Sequence, residues 1–138
     1  LTPASVGMVA NGEREAHGYG IWAERSLPRI NALRTDGKHV LIDGMRGEKE
    51  LAVFRDAYGD TLVTVAVLAL SETRLERVQQ RDRVDDGDAA AFHARDQREL
   101  GWSLAETIEA AAETLENNGS LSQLRENADA LLEQLESR

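Results

Sequence analysis

The residues best suited to chemistry follow a short apolar run, Val40-Leu41-Ile42, which ends in Asp43 and Gly44. Such a run closed by Asp-Gly predicts a buried parallel strand over about 39–43, and open α/β sheets bind ligands at the carboxyl ends of such strands. An aspartate there can hold Mg²⁺ or its water shell beside phosphate groups. The alternative is structural, because an Asp-Gly pair also turns the chain, with Gly44 supplying a positive φ.

A group of arginines forms a second candidate site in the middle of the chain. Arg74, Arg77 and Arg81 follow the spacing i, i+3, i+7, which places them on one face of a predicted helix. In one interpretation these arginines belong to a mobile lid that closes over transferred phosphates and stabilises their charge. In the other, the helix is solvated and its arginines form ion pairs with neighbouring acidic side chains.

Two further arginines, Arg14 and Arg25, flank a glycine-containing break between the first two predicted helices. Both could face a ligand, because a guanidinium group suits bidentate contact with phosphate. The alternative is that they form surface ion pairs with nearby glutamates, Glu13, Glu15 or Glu24.

Residues 7–14 imitate a phosphate-binding P-loop in the spacing of their glycines. However, Glu13 occupies the position of the phosphate-binding lysine, and Arg14 occupies that of the Ser or Thr that holds Mg²⁺. An acidic side chain would repel the phosphates, and no strand is predicted ahead of the segment. We therefore reject it as a P-loop.

Charge and composition limit the class of protein. The chain has 138 residues, which fits one domain, and its net charge of −9 argues against nucleic-acid binding by general electrostatics. It has no cysteine, so disulfides and thiolate metal sites are excluded, and its three scattered histidines are too few for an obvious metal centre. No apolar run approaches the ~20 residues of a membrane span. We expect one α/β domain over 1–138, cytoplasmic, without nucleic-acid or membrane partners.

The spacing of apolar residues predicts two opening helices followed by alternating strands and helices. This rhythm predicts a parallel sheet with right-handed crossovers, in which residues 61–68 form a strand covered on both faces. Thr2 and Ser120 are predicted N-caps, and Pro28 should kink or interrupt the second helix. The predicted helices are 3–15, 21–33, 48–57, one capped by Ser71, 89–111 and 121–135, and the predicted strands are 39–43, 61–68 and 113–117.

Several short motifs follow one another along the chain. They are Asp43-Gly44-Met45-Arg46 with Glu50 and Val53-Phe54-Arg55, Arg81-Asp82-Arg83 with Asp85-Asp86, the run Arg95-Asp96-Gln97-Arg98-Glu99-Leu100-Gly101-Trp102, and Asn117-Asn118-Gly119-Ser120-Leu121. In this order they resemble an archaeal-type P-loop kinase-like family related to dephospho-CoA kinase and adenylate kinase. The resemblance implies a doubly wound parallel sheet flanked by helices in three layers. It also implies ATP and Mg²⁺ as cofactors, and phosphoryl transfer to a small nucleotide-like acceptor.

The same resemblance assigns roles to individual residues. It implies a catalytic group of Asp43, Arg81 and Arg83, with Asp43 near Mg²⁺ or the acceptor and both arginines in a lid-like segment at about 78–100. It implies that the remaining residues bind phosphate or the nucleotide: Arg46 beside Asp43, Arg95 and Arg98 at the lid or acceptor, and Arg14 and Arg25 on the acceptor side.

The sequence departs from this family at its start. Leu1 opens directly onto a helix, and nothing corresponds to the family's first strand, its Gly-rich loop with Lys and Ser/Thr, or the following strand. Because cradling the phosphates is most of kinase catalysis, we expect this chain as it stands not to catalyse ATP-dependent transfer. The alternative function is a non-catalytic ligand-binding or assembly module of the same fold.

The absence of that unit also predicts unpaired strand edges. Strands at 39–43 and 61–68 would each present an apolar edge, and such edges associate. We expect the two strands to pair directly, or the gap to be filled by another molecule, which would make a homo-oligomer.

Overall fold

The computed structural model describes residues 2–81, 88–100 and 104–137. These residues form an α/β protein with a two-stranded parallel sheet. They divide into two compact units, the first being Leu1–Leu62 with His93–Ala110 and the second Val63–Phe92 with Ala111–Arg138. In chain order the elements are α1 (Pro3–His17), α2 (Ile21–Thr35), α3 (Glu48–Tyr58), a 3₁₀ turn (Gly59–Thr61), β1 (Val65–Leu68), α4 (Ser71–Arg81), α5 (Ala89–Leu100), α6 (Leu104–Glu109), β2 (Glu113–Glu116) and α7 (Leu121–Glu136).

Helix α1 of the first unit begins with the predicted cap. The Thr2 hydroxyl accepts a hydrogen bond from the Ser5 amide at 3.1 Å, and the Ser5 hydroxyl accepts one from the Thr2 amide at 2.9 Å. This reciprocal pair satisfies two backbone donors that a helix start leaves without a partner. The P-loop-like residues 7–14 lie inside α1, in keeping with their rejection as a phosphate loop.

The core of the first unit forms where α2 packs against α3. Ala23, Ile30 and Phe54 are buried there, and Ile30 and Phe54 belong to the apolar faces that the helical spacing predicts. Helix α2 continues through Pro28, so the predicted interruption is wrong. Pro28 is exposed on the surface of the helix.

The strand predicted at 39–43 is absent, although the segment keeps a strand-like alternation. Val40 and Ile42 pack against the core of the first unit, while Leu41 between them is 92% exposed. The prediction of a strand is wrong because a strand also needs a neighbouring backbone for its amides and carbonyls, and the described residues supply none to this segment. The predicted direct pairing of 39–43 with 61–68 is therefore wrong as well.

The sheet of the second unit pairs β1 with β2 in parallel. Val65 lies opposite Glu113 and Leu68 lies opposite Glu116. The first strand is shorter than predicted, since the 3₁₀ turn includes residue 61 and the strand begins only at Val65. It is also not covered on both faces, since Val65 and Val67 are both exposed while Ala66 is buried.

The helices after β1 follow the predictions in part. Residues 89–111 contain two described helices, α5 and α6, where one was predicted. The short strand β2 occurs as predicted, and the Ser120 hydroxyl caps α7 by accepting a hydrogen bond from the Gln123 amide at 3.1 Å. The leucine stripe of α7 is only partly covered, because Leu121 and Leu132 remain exposed.

Gly20, the residue before α2, lies close to α3. A Cβ atom at this position would lie 3.1 Å from Val53 Cγ2 and 3.2 Å from the Lys49 carbonyl oxygen. That carbonyl belongs to helix backbone and cannot yield as a flexible side chain would. The glycine therefore permits the close packing of α2 against α3.

We predict that Gly20→Ala lowers the free energy of unfolding by about 1–3 kcal/mol, because the added methyl group overpacks this contact. The matched control is Gly12→Ala within α1, where a Cβ would meet no atom within 4 Å. That change should raise stability by about 0.5–1 kcal/mol, as expected for Gly to Ala inside a helix. Urea denaturation of both variants checks the prediction, and equal effects of the two changes would contradict it.

Candidate functional site

A pocket of about 340 Å³ opens at the carboxyl ends of β1 and β2. Parallel pairing brings both strand ends to one edge of the sheet, which is where α/β proteins bind ligands. We call it the arginine pocket, because its lining includes three guanidinium groups. It is lined by Val67, Ala69, Arg74, Arg77, Val78, Arg81, Phe92 and Asn117.

Helix α4 supplies the three arginines of this pocket. Arg74, Arg77 and Arg81 recur at helical spacing, so one face of α4 carries three positive charges toward the sheet edge. Val67, Val78 and Phe92 add apolar side chains to the lining of the same pocket.

Arg74 and Arg77 contact backbone carbonyls close to the pocket. Arg74 Nε donates to the Ala69 carbonyl oxygen at 3.3 Å, and its guanidinium carbon lies 5.4 Å from the ring centre of Phe92. Arg77 donates from Nη1 to the Asn117 carbonyl at 2.6 Å and from Nη2 to the Gly119 carbonyl at 3.1 Å. Arg77 thus joins α4 to the turn that follows β2.

That turn, Asn117-Asn118-Gly119, has two further bonds to the end of β1. The Asn117 amide donates to the Leu68 carbonyl at 2.7 Å, which extends the ladder beyond β2. The Asn118 side-chain oxygen accepts from the Leu70 amide at 2.8 Å. Together with Arg77, these contacts fix the rim of the arginine pocket.

A second cluster of charge lies in the first unit around Glu50. This side chain is buried in the first turn of α3, and its Oε1 accepts a hydrogen bond from the Arg46 amide at 3.1 Å. Burial raises the pKa of the Glu50 carboxyl, while the bond from Arg46 and the charges of Arg14 and Arg46 act in the opposite direction. The Glu50 carboxyl is thus influenced by the charges of two of the predicted ligand-binding arginines of this unit, Arg14 and Arg46.

The structure places the predicted residues of the first unit as follows. Asp43 is exposed, and Gly44 after it has a φ of +85°, as the turn interpretation predicts. Arg14 is half-buried and donates from Nη1 to Asn11 Oδ1 at 3.1 Å. Arg25 forms an ion pair with Glu13 and lies over the Trp22 ring, as the surface-pairing interpretation predicts. These observations do not test the predicted role of Asp43 near Mg²⁺, which stays a prediction.

The remaining predicted residues belong to the two units separately. Arg81, the last residue of α4, lines the arginine pocket of the second unit. Arg95 and Arg98 lie on α5 in the first unit, where Arg95 is half-buried and Arg98 is exposed. Arg83 lies outside the described residues. The predicted lid over 78–100 and the meeting of Asp43 with Arg81 and Arg83 stay predictions.

Sequence reasoning did not predict several residues of the pocket. Phe92 and Asn117 line it, and the carbonyls of Asn117 and Gly119 bind Arg77. The available signal was the Asn-Asn-Gly turn after a strand, because such a turn directs several carbonyls outward. The sequence gives no sign of which side chain would reach them.

ATP and Mg²⁺, which the resemblance implies, need phosphate-binding groups and oxygen ligands for the metal. Guanidinium groups fit phosphate oxygens, so the arginine pocket suits a phosphate group. Within residues 2–81, 88–100 and 104–137, no three acidic or histidine side chains come together to hold a metal ion. Mg²⁺ is often held by one or two carboxylates together with substrate phosphates, so Asp43 as its ligand stays a prediction.

Among the helices of the described stretches, none combines the length and apolar character needed to cross a bilayer.

The described elements and the arginine pocket define an α/β protein with a basic pocket at the carboxyl edge of a parallel sheet. Relatives occur among curated archaeal proteins. A UPF0200 protein of Halobacterium salinarum is 41% identical over 115 residues, which cover 83% of this chain and 60% of that protein. A UPF0200 protein of Methanosarcina mazei is 35% identical over 136 residues, which cover 97% of this chain and 72% of that protein. No protein-family model matches the chain.

The chain belongs to the UPF0200 family of archaeal proteins. A UPF0200/UPF0201 protein of Archaeoglobus fulgidus is also 40% identical over 121 residues, which are 38% of its own length. The chain spans about 60% of the length of the Halobacterium relative. The expectation that the chain belongs to an archaeal family is thereby confirmed, while the relationship to P-loop kinases remains a proposal, because these names state no activity.

We predict a pH-dependent contribution of Glu50 to stability. Because the folded-state pKa lies above the ordinary value of 4.5, the folded protein holds this proton more tightly than the unfolded chain does. The contribution of Glu50 to the free energy of unfolding is complete below pH 4.5, and it is lost as the pH rises through the raised pKa of the folded state. The free energy of unfolding of the wild type minus that of Glu50→Gln should therefore fall as the pH rises.

Denaturation curves of both proteins between about pH 4 and pH 8 measure this difference. Glu48→Gln is the matched control, because Glu48 occupies the same first turn of α3 but is exposed. The free energy of unfolding of the wild type minus that of Glu48→Gln should not fall as the pH rises. The prediction is contradicted if the free energy of unfolding of the wild type minus that of Glu50→Gln rises with pH.

Proposed function

We propose that this chain carries the phosphate-binding part of a nucleotide-kinase-like phosphotransferase of three-layer α/β fold. The arginine pocket is the observation that carries the proposal. It combines three arginines of one helix face, an aromatic ring and an apolar wall at the sheet edge where α/β proteins bind ligands. The ligand proposed is a small phosphorylated, nucleotide-like molecule.

The charge distribution supports this proposal. The chain carries a net charge of −9, so an anion is repelled by most of the molecule and needs a local concentration of positive charge. Arg74, Arg77 and Arg81 provide this concentration around one pocket. Phosphoryl transfer is catalysed mainly by positioning the phosphates and stabilising their charge, and arginines are one of the groups that supply this stabilisation.

The proposed catalytic role rests on the resemblance described above. It assigns ATP and Mg²⁺ to the complete site, with Asp43 near the metal and Arg81 and Arg83 near the transferred phosphate. Residues 1–138 contain no G-x-x-x-x-G-K-[ST] sequence, so the loop that holds ATP in such enzymes is not among them. We therefore assign phosphate binding, and not ATP turnover, to these residues by themselves.

The second candidate function is a non-catalytic binding module of the same fold. The observation in its favour is the fixed geometry of the pocket rim, where Arg77 and Asn118 both bind backbone groups. Both candidates require phosphate binding in the arginine pocket, so a binding measurement tests what they share.

We predict that the chain binds inorganic pyrophosphate and nucleoside monophosphates, and that Arg81→Ala weakens this binding about tenfold or more. A hydrogen bond to a charged group contributes about 1.5–3 kcal/mol, and about 1.4 kcal/mol corresponds to tenfold in Kd. Isothermal titration calorimetry of the wild type and the variant measures the change.

Arg125→Ala is the matched control for this experiment. It removes the same charge from an exposed position on α7 of the same unit, and it does not line the pocket. Its Kd should stay close to that of the wild type. The proposal is overturned if the wild type binds none of these ligands at millimolar concentration, or if both variants lose affinity equally.

A further inference from the structure

The three arginines of the pocket differ in what their guanidinium groups contact. Arg77 uses both terminal nitrogens on backbone carbonyls of the turn after β2, at 2.6 Å to Asn117 and 3.1 Å to Gly119. A planar guanidinium makes two such bonds in a fixed geometry, so this contact holds two chain segments in one orientation. The segments are α4, which carries Arg77, and the turn.

The same turn is bonded to the other side of the pocket rim through Asn118. Its side-chain oxygen accepts the Leu70 amide at 2.8 Å, at the point where the chain passes from β1 into α4. The turn therefore has one bond to Leu70, between β1 and α4, and two bonds to Arg77 in the middle of α4. Asn118 carries no charge and does not line the arginine pocket.

We propose that Arg77 is a positioning residue of the phosphate site. Arg77 does not contact the ligand but acts through the turn Asn117-Asn118-Gly119. The bonds of Arg77 to this turn and the bond of the Asn118 side chain to Leu70 hold the turn at a fixed distance from α4. This role rests on the proposed phosphate-binding function of the pocket. It distinguishes Arg77 from Arg81, for which we propose direct contact with the phosphate.

Two side chains that share one task should give non-additive effects when they are changed. We therefore expect Arg77→Ala and Asn118→Ala each to weaken pyrophosphate binding by about fivefold or more, and the double variant to bind about as weakly as the weaker single variant. A side chain that only contributes stability would not change Kd in the folded protein. A direct ligand contact by Arg77 would leave the affinity of Asn118→Ala unchanged.

Hydrogen exchange in the protein without ligand provides the second measurement. In Arg77→Ala, the Leu70 amide should exchange about tenfold faster or more, because the turn that carries its acceptor is released. The reference is the Glu113 amide, which donates to the Thr64 carbonyl at 3.0 Å at the other end of the same sheet. Its exchange should stay unchanged, which separates local release of the turn from general loss of stability.

The conservative variant Arg77→Lys keeps the charge but cannot make the two-pronged contact. It should therefore accelerate Leu70 exchange as Arg77→Ala does. The proposal is overturned if Leu70 and Glu113 exchange change equally in both variants, or if Asn118→Ala binds pyrophosphate as tightly as the wild type. Failure of the wild type to bind pyrophosphate would refute the proposed function, and with it the role of Arg77 in a phosphate site.

Discussion

The candidate site depends on the parallel pairing of β1 with β2. Because the strands run in the same direction, the loops that follow them leave the sheet at one edge. One loop leads into α4 and its arginines, and the other supplies the carbonyls of Asn117 and Gly119. Antiparallel pairing would have placed these loops at opposite ends, and Arg77 could not have joined them.

The arginine pocket follows from this arrangement together with the periodicity of α4. Spacing of i, i+3 and i+7 brings the three guanidinium groups to one side of the helix, and the sheet edge provides the apolar surface against which they lie. Mutual repulsion among three positive charges is partly offset by the backbone carbonyls of Ala69, Asn117 and Gly119. A bound phosphate would add negative charge beside all three arginines, in line with the proposed preference of the pocket for anions.

Much of the fold could be predicted from helix caps and apolar spacing, because these features depend only on residues close together in the sequence. Thr2 with Ser5 and Ser120 with Gln123 form the expected caps, and the apolar face of α3 buries Phe54 as its spacing predicts. The strand at 39–43 failed because its formation depends on a partner backbone, which no local pattern specifies. Its apolar run also predicts burial of all three side chains, whereas only Val40 and Ile42 pack against the core and Leu41 is 92% exposed.

The site was predictable in part for the same reason. The common face of Arg74, Arg77 and Arg81 is a property of one helix, and the sequence alone predicts it. The destination of each guanidinium is a tertiary property, so the binding of Arg77 to the turn after β2 could not be predicted. Glu50 lies four residues before Phe54 and so shares the buried face of α3, whereas Glu48 does not, but this spacing does not predict that the Arg46 amide binds the Glu50 carboxyl.

The most direct test of the central claim is an NMR titration of the ¹⁵N-labelled chain with inorganic pyrophosphate. Amide chemical shifts report which part of the backbone responds to the ligand. We predict that the largest changes occur at residues 69–81 and 117–119, around the arginine pocket. Changes that are largest at residues 14–50 instead, or no saturable change at millimolar pyrophosphate, would contradict a phosphate site at the edge of this sheet.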